Sequence, residues 1–213
     1  MTNTEINFWK NKFEDYLKVN PLDDGSHDLS HFQRVWSLAN RFATSSADKL
    51  TILASCYFHD IVNYPKNDLR RSQSSKDAAV KAKEILKDMD FPLEKLENVA
   101  HCIEAHSFSA GIEPETIEAM IVQDADRMES LGAIGLARTF YTAGRLNSQL
   151  FDENDPFAKS RELDDRKFAV DHFELKLLKL PATMKTQAGK IEAIKRAGVL
   201  EAFLSDLKNE LKL

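Results

Sequence analysis

The stretch Leu50-Thr51-Ile52-Leu53-Ala54-Ser55-Cys56-Tyr57-Phe58-His59-Asp60 decides how the chain folds. It is apolar on nearly every face of a 3.6-residue period, so it predicts a helix over about 47–60 that other helices enclose. On its N-terminal side, Phe32, Val35, Leu38, Ala39 and Phe42 make one apolar face of a helix over about 28–44, and Ile6, Trp9, Phe13 and Leu17 do the same over 5–18. On its C-terminal side the spacing predicts helices over 73–88, 93–106 and 114–131, the last with Pro114 in its first turn. An apolar run then reaches Ala143, residues 144–164 are polar and read as a long loop, and helices follow at 166–179, 184–197 and 199–212. No segment alternates with period two. The fold class is all-α, a compact single-domain helical bundle over 1–213, with a core at about 25–180 and the helices of 184–212 packed on it.

Composition narrows the function. In 213 residues there are only 7 Gly and 6 Pro, which argues against a turn-rich β-protein. The net charge of −5 is not that of a nucleic-acid-polymer binder, though it leaves room for a local basic pocket. Cys56 and Cys102 are too few for a disulfide scaffold and read as reduced core residues. The N-terminal residues show no leader pattern, and the most apolar stretch is too short to span a bilayer, so a cytoplasmic protein without a membrane partner is expected.

The chain has six histidines. His59-Asp60 ends the most apolar helix, where a carboxylate is costly unless it is paired or holds a cation. The plain alternative is a helix-end salt bridge. His31 opens an amphipathic helix with Arg34 three positions on, and Asp126 lies in Asp124-Ala125-Asp126-Arg127 on a helix that looks buried. Alone, each reads as a satisfied polar residue. His172 reads as a packing or capping residue.

Together, His31, His59-Asp60 and Asp126 resemble the ligand pattern of the HD superfamily of metal-dependent phosphohydrolases. The resemblance extends through His27-Asp28-Leu29-Ser30-His31-Phe32-Gln33-Arg34-Val35, Tyr57-Phe58-His59-Asp60-Ile61-Val62-Asn63-Tyr64-Pro65-Lys66-Asn67 and Val122-Gln123-Asp124-Ala125-Asp126-Arg127-Met128. It implies an HD-type bundle around one divalent ion held by His31, His59, Asp60 and Asp126, with Mn²⁺ first and Mg²⁺, Fe²⁺, Co²⁺ or Ni²⁺ as other choices. Imidazole and carboxylate donors without thiolate agree with that group of metals. The implied activity is hydrolysis of a phosphate ester or anhydride in a small phosphorylated substrate, a nucleotide first.

Two carboxylates cancel the ion's charge, so a phosphate needs other cations. Arg34, Lys66, Arg71 and Arg127 are the candidates for substrate binding. Asp124, His27 and His106 are the candidates for moving the proton of the attacking water. Fold relatives that hydrolyse guanosine tetraphosphate carry Glu-Asp soon after the His-Asp pair, whereas this chain has Val62-Asn63, which leaves the acid–base group and that substrate open. Three alternatives stand beside the hydrolase. One is a non-catalytic regulatory or interaction module with a structural metal site. Another is a two-iron oxygenase of the same fold, which needs both His101 and His106 as ligands. The third is a zinc protease, which His27-Asp28-x-x-His31 imitates, but with Asp one methylene shorter than the Glu of that motif.

Overall fold

A computed structural model describes residues 2–21, 28–64 and 68–212. Among these residues it has nine α-helices, and the only β-type pairing is an isolated parallel bridge between Gln149 and Phe168. The chain separates into two compact units, 1–126 and 127–213.

The first unit is built around α3 (Lys49–Phe58), which packs against α1 (Asn3–Val19), α2 (Leu29–Phe42), α4 (Ser74–Asp88) and α5 (Leu96–His106). Every residue of α3 from Leu50 to Phe58 is buried, as its all-round apolar surface demands. Phe13 of α1 reaches Phe58 at 5.1 Å and Tyr57 at 6.0 Å between ring centroids, joining the three helices in one aromatic core. The Tyr57 hydroxyl is not wasted there, for it donates to Glu14 Oε1 at 2.7 Å. Local chemistry sets the helix starts. Asp28 caps α2 by accepting from His31 N at 2.9 Å, and Asp48 caps α3 by accepting from Leu50 N at 3.0 Å. The last helix of this unit, α6 (Ile117–Arg127), is tied down from within: Glu118 accepts from Asp48 N at 2.8 Å and from Asn98 Nδ2 at 3.1 Å, and Gln123 Nε2 donates to Ala105 O at 2.7 Å.

The boundaries of α6 differ from the expectation. Pro114 lies outside the helix, which begins under Thr116, whose hydroxyl accepts from Ala119 N at 3.2 Å. The helix also ends earlier, passing into a 3-10 turn over Met128–Ser130.

The second unit holds α7 (Gly132–Arg145), α8 (Asp171–Leu175) and α9 (Gln187–Glu210) around Phe140, Phe173 and Phe203, whose ring centroids lie 5.6–6.1 Å apart. Two expectations need correction here. The segment read as a helix over 166–179 is helical only at α8, followed by a 3-10 stretch over Leu177–Thr183. Its first residues are drawn into extended backbone, where Gln149 N donates to Lys167 O at 2.9 Å and Ala169 N donates back to Gln149 O at 2.9 Å. The two helices read over 184–197 and 199–212 are one, α9, because Gly198 sits in open space and the helix runs through it.

Residues 146–170 are held by their own polar side chains. Asp171 is buried, takes Arg161 in a fork at 2.6 and 2.8 Å, and also accepts from Asp164 N at 2.7 Å. Asp155 accepts from Lys159 N, Ser160 N and Ser160 Oγ at 2.8–2.9 Å. The polar composition that made this segment look loose is what folds it on itself.

Candidate metal centre

Four helices of the first unit bring one end each to a common point. His31 stands in the first turn of α2, His59 directly follows α3, His106 is the last residue of α5, and Asp126 is next to last in α6. Three of the four present C-terminal ends, whose carbonyl dipoles favour positive charge. The burial follows from the apolar helices behind. His31 and His59 are wholly enclosed, and Asp60 and Asp126 keep side-chain exposures of 15% and 25%. The cluster therefore opens to solvent on its carboxylate side.

The distances bring these side chains within reach of one another. His31 Nε2 lies 3.2 Å from His59 Nε2 and 3.7 Å from Asp126 Oδ1. His59 Nε2 lies 3.5 Å from Asp126 Oδ1 and 3.4 Å from Asp60 Oδ2. His59 Nδ1 donates to Cys56 O at 3.0 Å, which turns Nε2 toward the cluster. Among the described residues the potential donors fall into two overlapping groups, His31–His59–Asp126 and His59–Asp60–His106, which share His59.

Electrostatics agree. Burial works to lower the pKa of His59, but the Asp60 charge and the hydrogen bond and charge of Asp126 more than offset it and raise it to about 9. Burial works to raise Asp126, and the hydrogen bond and charge of His59, with His106 and His31 beyond, hold it well below the usual carboxylate range. Two carboxylates here call for positive charge, and the donor set of imidazole nitrogens and carboxylate oxygens fits a divalent ion of the Mn²⁺ to Ni²⁺ kind.

The other candidates scatter. Asp124 is buried two residues before Asp126, a rotation of about 200° along the helix, and belongs to neither donor group. His101 is turned aside, its Nε2 accepting from Glu115 N at 2.9 Å. Arg34, half-buried one turn after His31, donates to Ser30 Oγ at 2.8 Å. Arg71 donates to the Asn63 side chain and to Tyr64 O at 2.6 Å, so it braces the loop that follows Asp60. Arg127 donates to Thr183 O at 3.3 Å in the second unit. His27 and Lys66 lie outside the described residues. Asp28 opens α2 as its cap, whereas the zinc-protease motif lies inside a helix. His172 Nδ1 meets Asp165 Oδ2 at 2.7 Å, a side-chain pair between α8 and the segment before it. The carbonyls of Cys56 and Ile103, which aim the rings of His59 and His106, were not singled out from sequence. A His three residues past a buried helix position, at the helix end, is the signal that finds them.

The HD domain family model matches residues 28–131, a span that contains all five clustered residues. Protein YpgQ of Bacillus subtilis is 28% identical over 197 residues, covering 89% of this chain and 86% of that one. A crystal structure of that protein, in complex with ADP, superposes with a TM-score of 0.75 at 24% identity over 96% of each chain. An HD-superfamily hydrolase from Bacillus thuringiensis gives a TM-score of 0.73 at 28% identity over 97% of this chain and 98% of its own. The Lin1889 protein of Listeria innocua gives 0.73 at 27% identity over 100% and 99%. Residues 28–131 thus match the HD domain family, and over nearly its whole length the chain is similar to an HD-superfamily hydrolase.

Proposed function

We propose that the chain hydrolyses a nucleotide phosphate ester or anhydride, with one divalent ion held by His31, His59, Asp60 and Asp126. The observation that carries this reading is the convergence of those four side chains, from the ends of two helices and the two residues that follow α3, at 3.2–3.7 Å in successive contacts. A bound ion there supplies Lewis acidity toward a phosphoryl oxygen and lowers the pKa of a water. The residues of the chain do the rest. Cys56 O fixes the tautomer and aim of His59. Asp28 fixes the first turn of α2 and with it His31. Arg34, steadied by Ser30, offers a guanidinium fork to phosphate oxygens on the same helix as His31. Arg71 holds the loop after Asp60 in shape and so serves the site by positioning.

The nucleotide is favoured because a protein of the same fold, YpgQ, holds ADP in its crystal structure. The two-iron alternative loses support because His101, one of the two further ligands it needs, spends its Nε2 on Glu115 N. The test is release of phosphate and pyrophosphate from a panel of nucleoside mono-, di- and triphosphates with Mn²⁺, Mg²⁺, Co²⁺ or Ni²⁺. The wild type is expected to turn over one class only with metal, and Asp126→Ala to be inactive. Tight metal binding with no turnover of any nucleotide would favour the structural-metal module instead.

A further inference from the structure

The second unit carries an apolar face that is open to solvent. On α9, Gly189, Ala193, Ala197 and Leu200 are buried, and the helix packs on α7 and on Leu177–Thr183. Ile191, Ile194, Gly198 and Ala202 follow in steps of three, four and four on the roughly opposite face. All four are exposed, Ile191 by 61% and Ile194 by 66%. A helix that is apolar on two faces has more to bury than one set of neighbours covers.

Charge is sorted along the same face. Lys190 and Lys195 stand in its first half, Glu201 and Asp206 in its second. All four are exposed, and among the described residues none of them makes an ion pair. A helix dipole favours acidic groups toward the N-terminal end and basic groups toward the C-terminal end. The order here is the reverse, so it does not serve α9 itself. Glu192 and Arg196, nearer the buried side, are instead paired with each other at 2.9 Å.

We infer that this face is a self-association surface, covered by α9 of a second copy of the chain that lies antiparallel across it, about a two-fold axis near Gly198. The inference stands apart from the proposed activity. Gly198 is at the middle of the 24-residue helix, and a Cβ built on it meets nothing within 4 Å. With Ala202 one turn on, it gives a crossing that a second helix can approach at the short end of the usual separation of about 8–10 Å. The two-fold sets the isoleucine and lysine half of each copy over the acidic half of the other, and so makes every such contact twice. A parallel copy would set lysine against lysine. A wholly anionic surface would meet the lysines and be repelled by Glu201 and Asp206. The complement of this face is the same face reversed.

The test is sedimentation equilibrium of the full chain at about 100 µM, well above the micromolar Kd that a modest interface reaches. The wild type is expected at twice the mass of one chain. Lys190→Glu with Lys195→Glu makes the face wholly acidic, and Glu201→Lys with Asp206→Lys makes it wholly basic. Each double variant alone should raise the dimer Kd at least about tenfold, because like charges then face each other, and an equal mixture of the two should recover the dimer. The four positions are exposed, so circular dichroism should show unchanged helix content. Ile194→Glu should weaken the dimer too, and it decides the matter should a double variant fail to fold. A monomeric wild type overturns the inference. So does a dimer that the variants keep, since it would use another surface, and so does a mixture that stays monomeric.

Discussion

Gly135 is where one added carbon should matter most. It lies in the first turn of α7, and an ideal Cβ built on it would fall 2.2 Å from the Ser130 carbonyl carbon and 2.3 Å from its oxygen. Both are backbone atoms, so no rotamer change relieves the overlap. The start of α7 would have to move away from the Met128–Ser130 turn by about 1 Å to reach even a tight contact. Overpacking costs about 1–3 kcal/mol, and a clash with rigid backbone belongs at the upper end. For a chain of this size, each kcal/mol moves Tm by about 2–4 °C, so Gly135→Ala should lower it by about 6–12 °C. Gly198→Ala is the matched control. Its Cβ meets nothing within 4 Å and its site is mid-helix in α9, so Ala should stabilise by about 0.5–1 kcal/mol and raise Tm by a degree or more. Thermal melts followed by far-ultraviolet circular dichroism read both. A Gly135→Ala protein melting within a degree of wild type would refute the argument, since it would mean the close approach carries no energy.

Other substitutions test other parts of the molecule. Arg161→Met should destabilise by about 3–5 kcal/mol in a denaturant melt, because it strands the fully buried carboxylate of Asp171. An effect as small as that of breaking the exposed Lys18–Asp15 pair would show that Asp171 is solvated after all. Burial pushes the Cys56 thiol well above its ordinary range and the Cys102 thiol up to about 12, so an aromatic disulfide reagent should find neither thiol in the native protein and both in denaturant. Burial works to raise Glu14, but hydrogen bonds from Gln33 and Tyr57 and the charge of Lys10 leave it below its ordinary value. Its folded pKa lies below its unfolded one, so its contribution is present above the unfolded value of about 4.3 and is lost as pH falls through the folded value. Glu14→Gln should therefore flatten the acid limb of the stability profile, and an unchanged limb would assign that limb to other carboxylates.

The first half of the fold was legible because its signal is burial, and burial leaves a periodic trace. Leu50–Phe58 has no polar stripe, so it had to be central, and it is. The second half was read less well because its stabilising groups are polar and long-range. Nothing local in Lys167-Phe168-Ala169 opposes a helix, and the pairing that extends it comes from Gln149, eighteen and more residues earlier. Arg161 and Asp171 look like ordinary surface residues in sequence, yet their fork organises the whole segment between α7 and α8. Gly198 suggested a break between two helices, but a glycine costs a helix only about 1 kcal/mol, which the contacts of α9 on α7 exceed.

The site was legible for a different reason. Alone, His31 and Asp126 read as satisfied polar residues, and it is their joint pattern with His59-Asp60, the one that resembles the HD superfamily, that set the four together. Sequence spacing located the residues but not their division of labour. Asp124 and Asp126 are two positions apart and indistinguishable by composition, and only the helix rotation sends Asp126 into the cluster. Arg71 and Arg34 are equally basic, and the partners differ: Arg71 is drawn to a backbone carbonyl and an amide that brace a loop, Arg34 to the Ser30 hydroxyl beside His31. A charge that shapes a loop and a charge that grips a phosphate have the same letter in the sequence. If this division is right, Arg34→Lys should raise KM with stability kept, because a point charge replaces a fork. Arg71→Lys should instead lower stability and kcat together by loosening the loop after Asp60. The reverse pattern, read from nucleotide turnover and thermal melts on the same two proteins, would exchange the roles assigned to them.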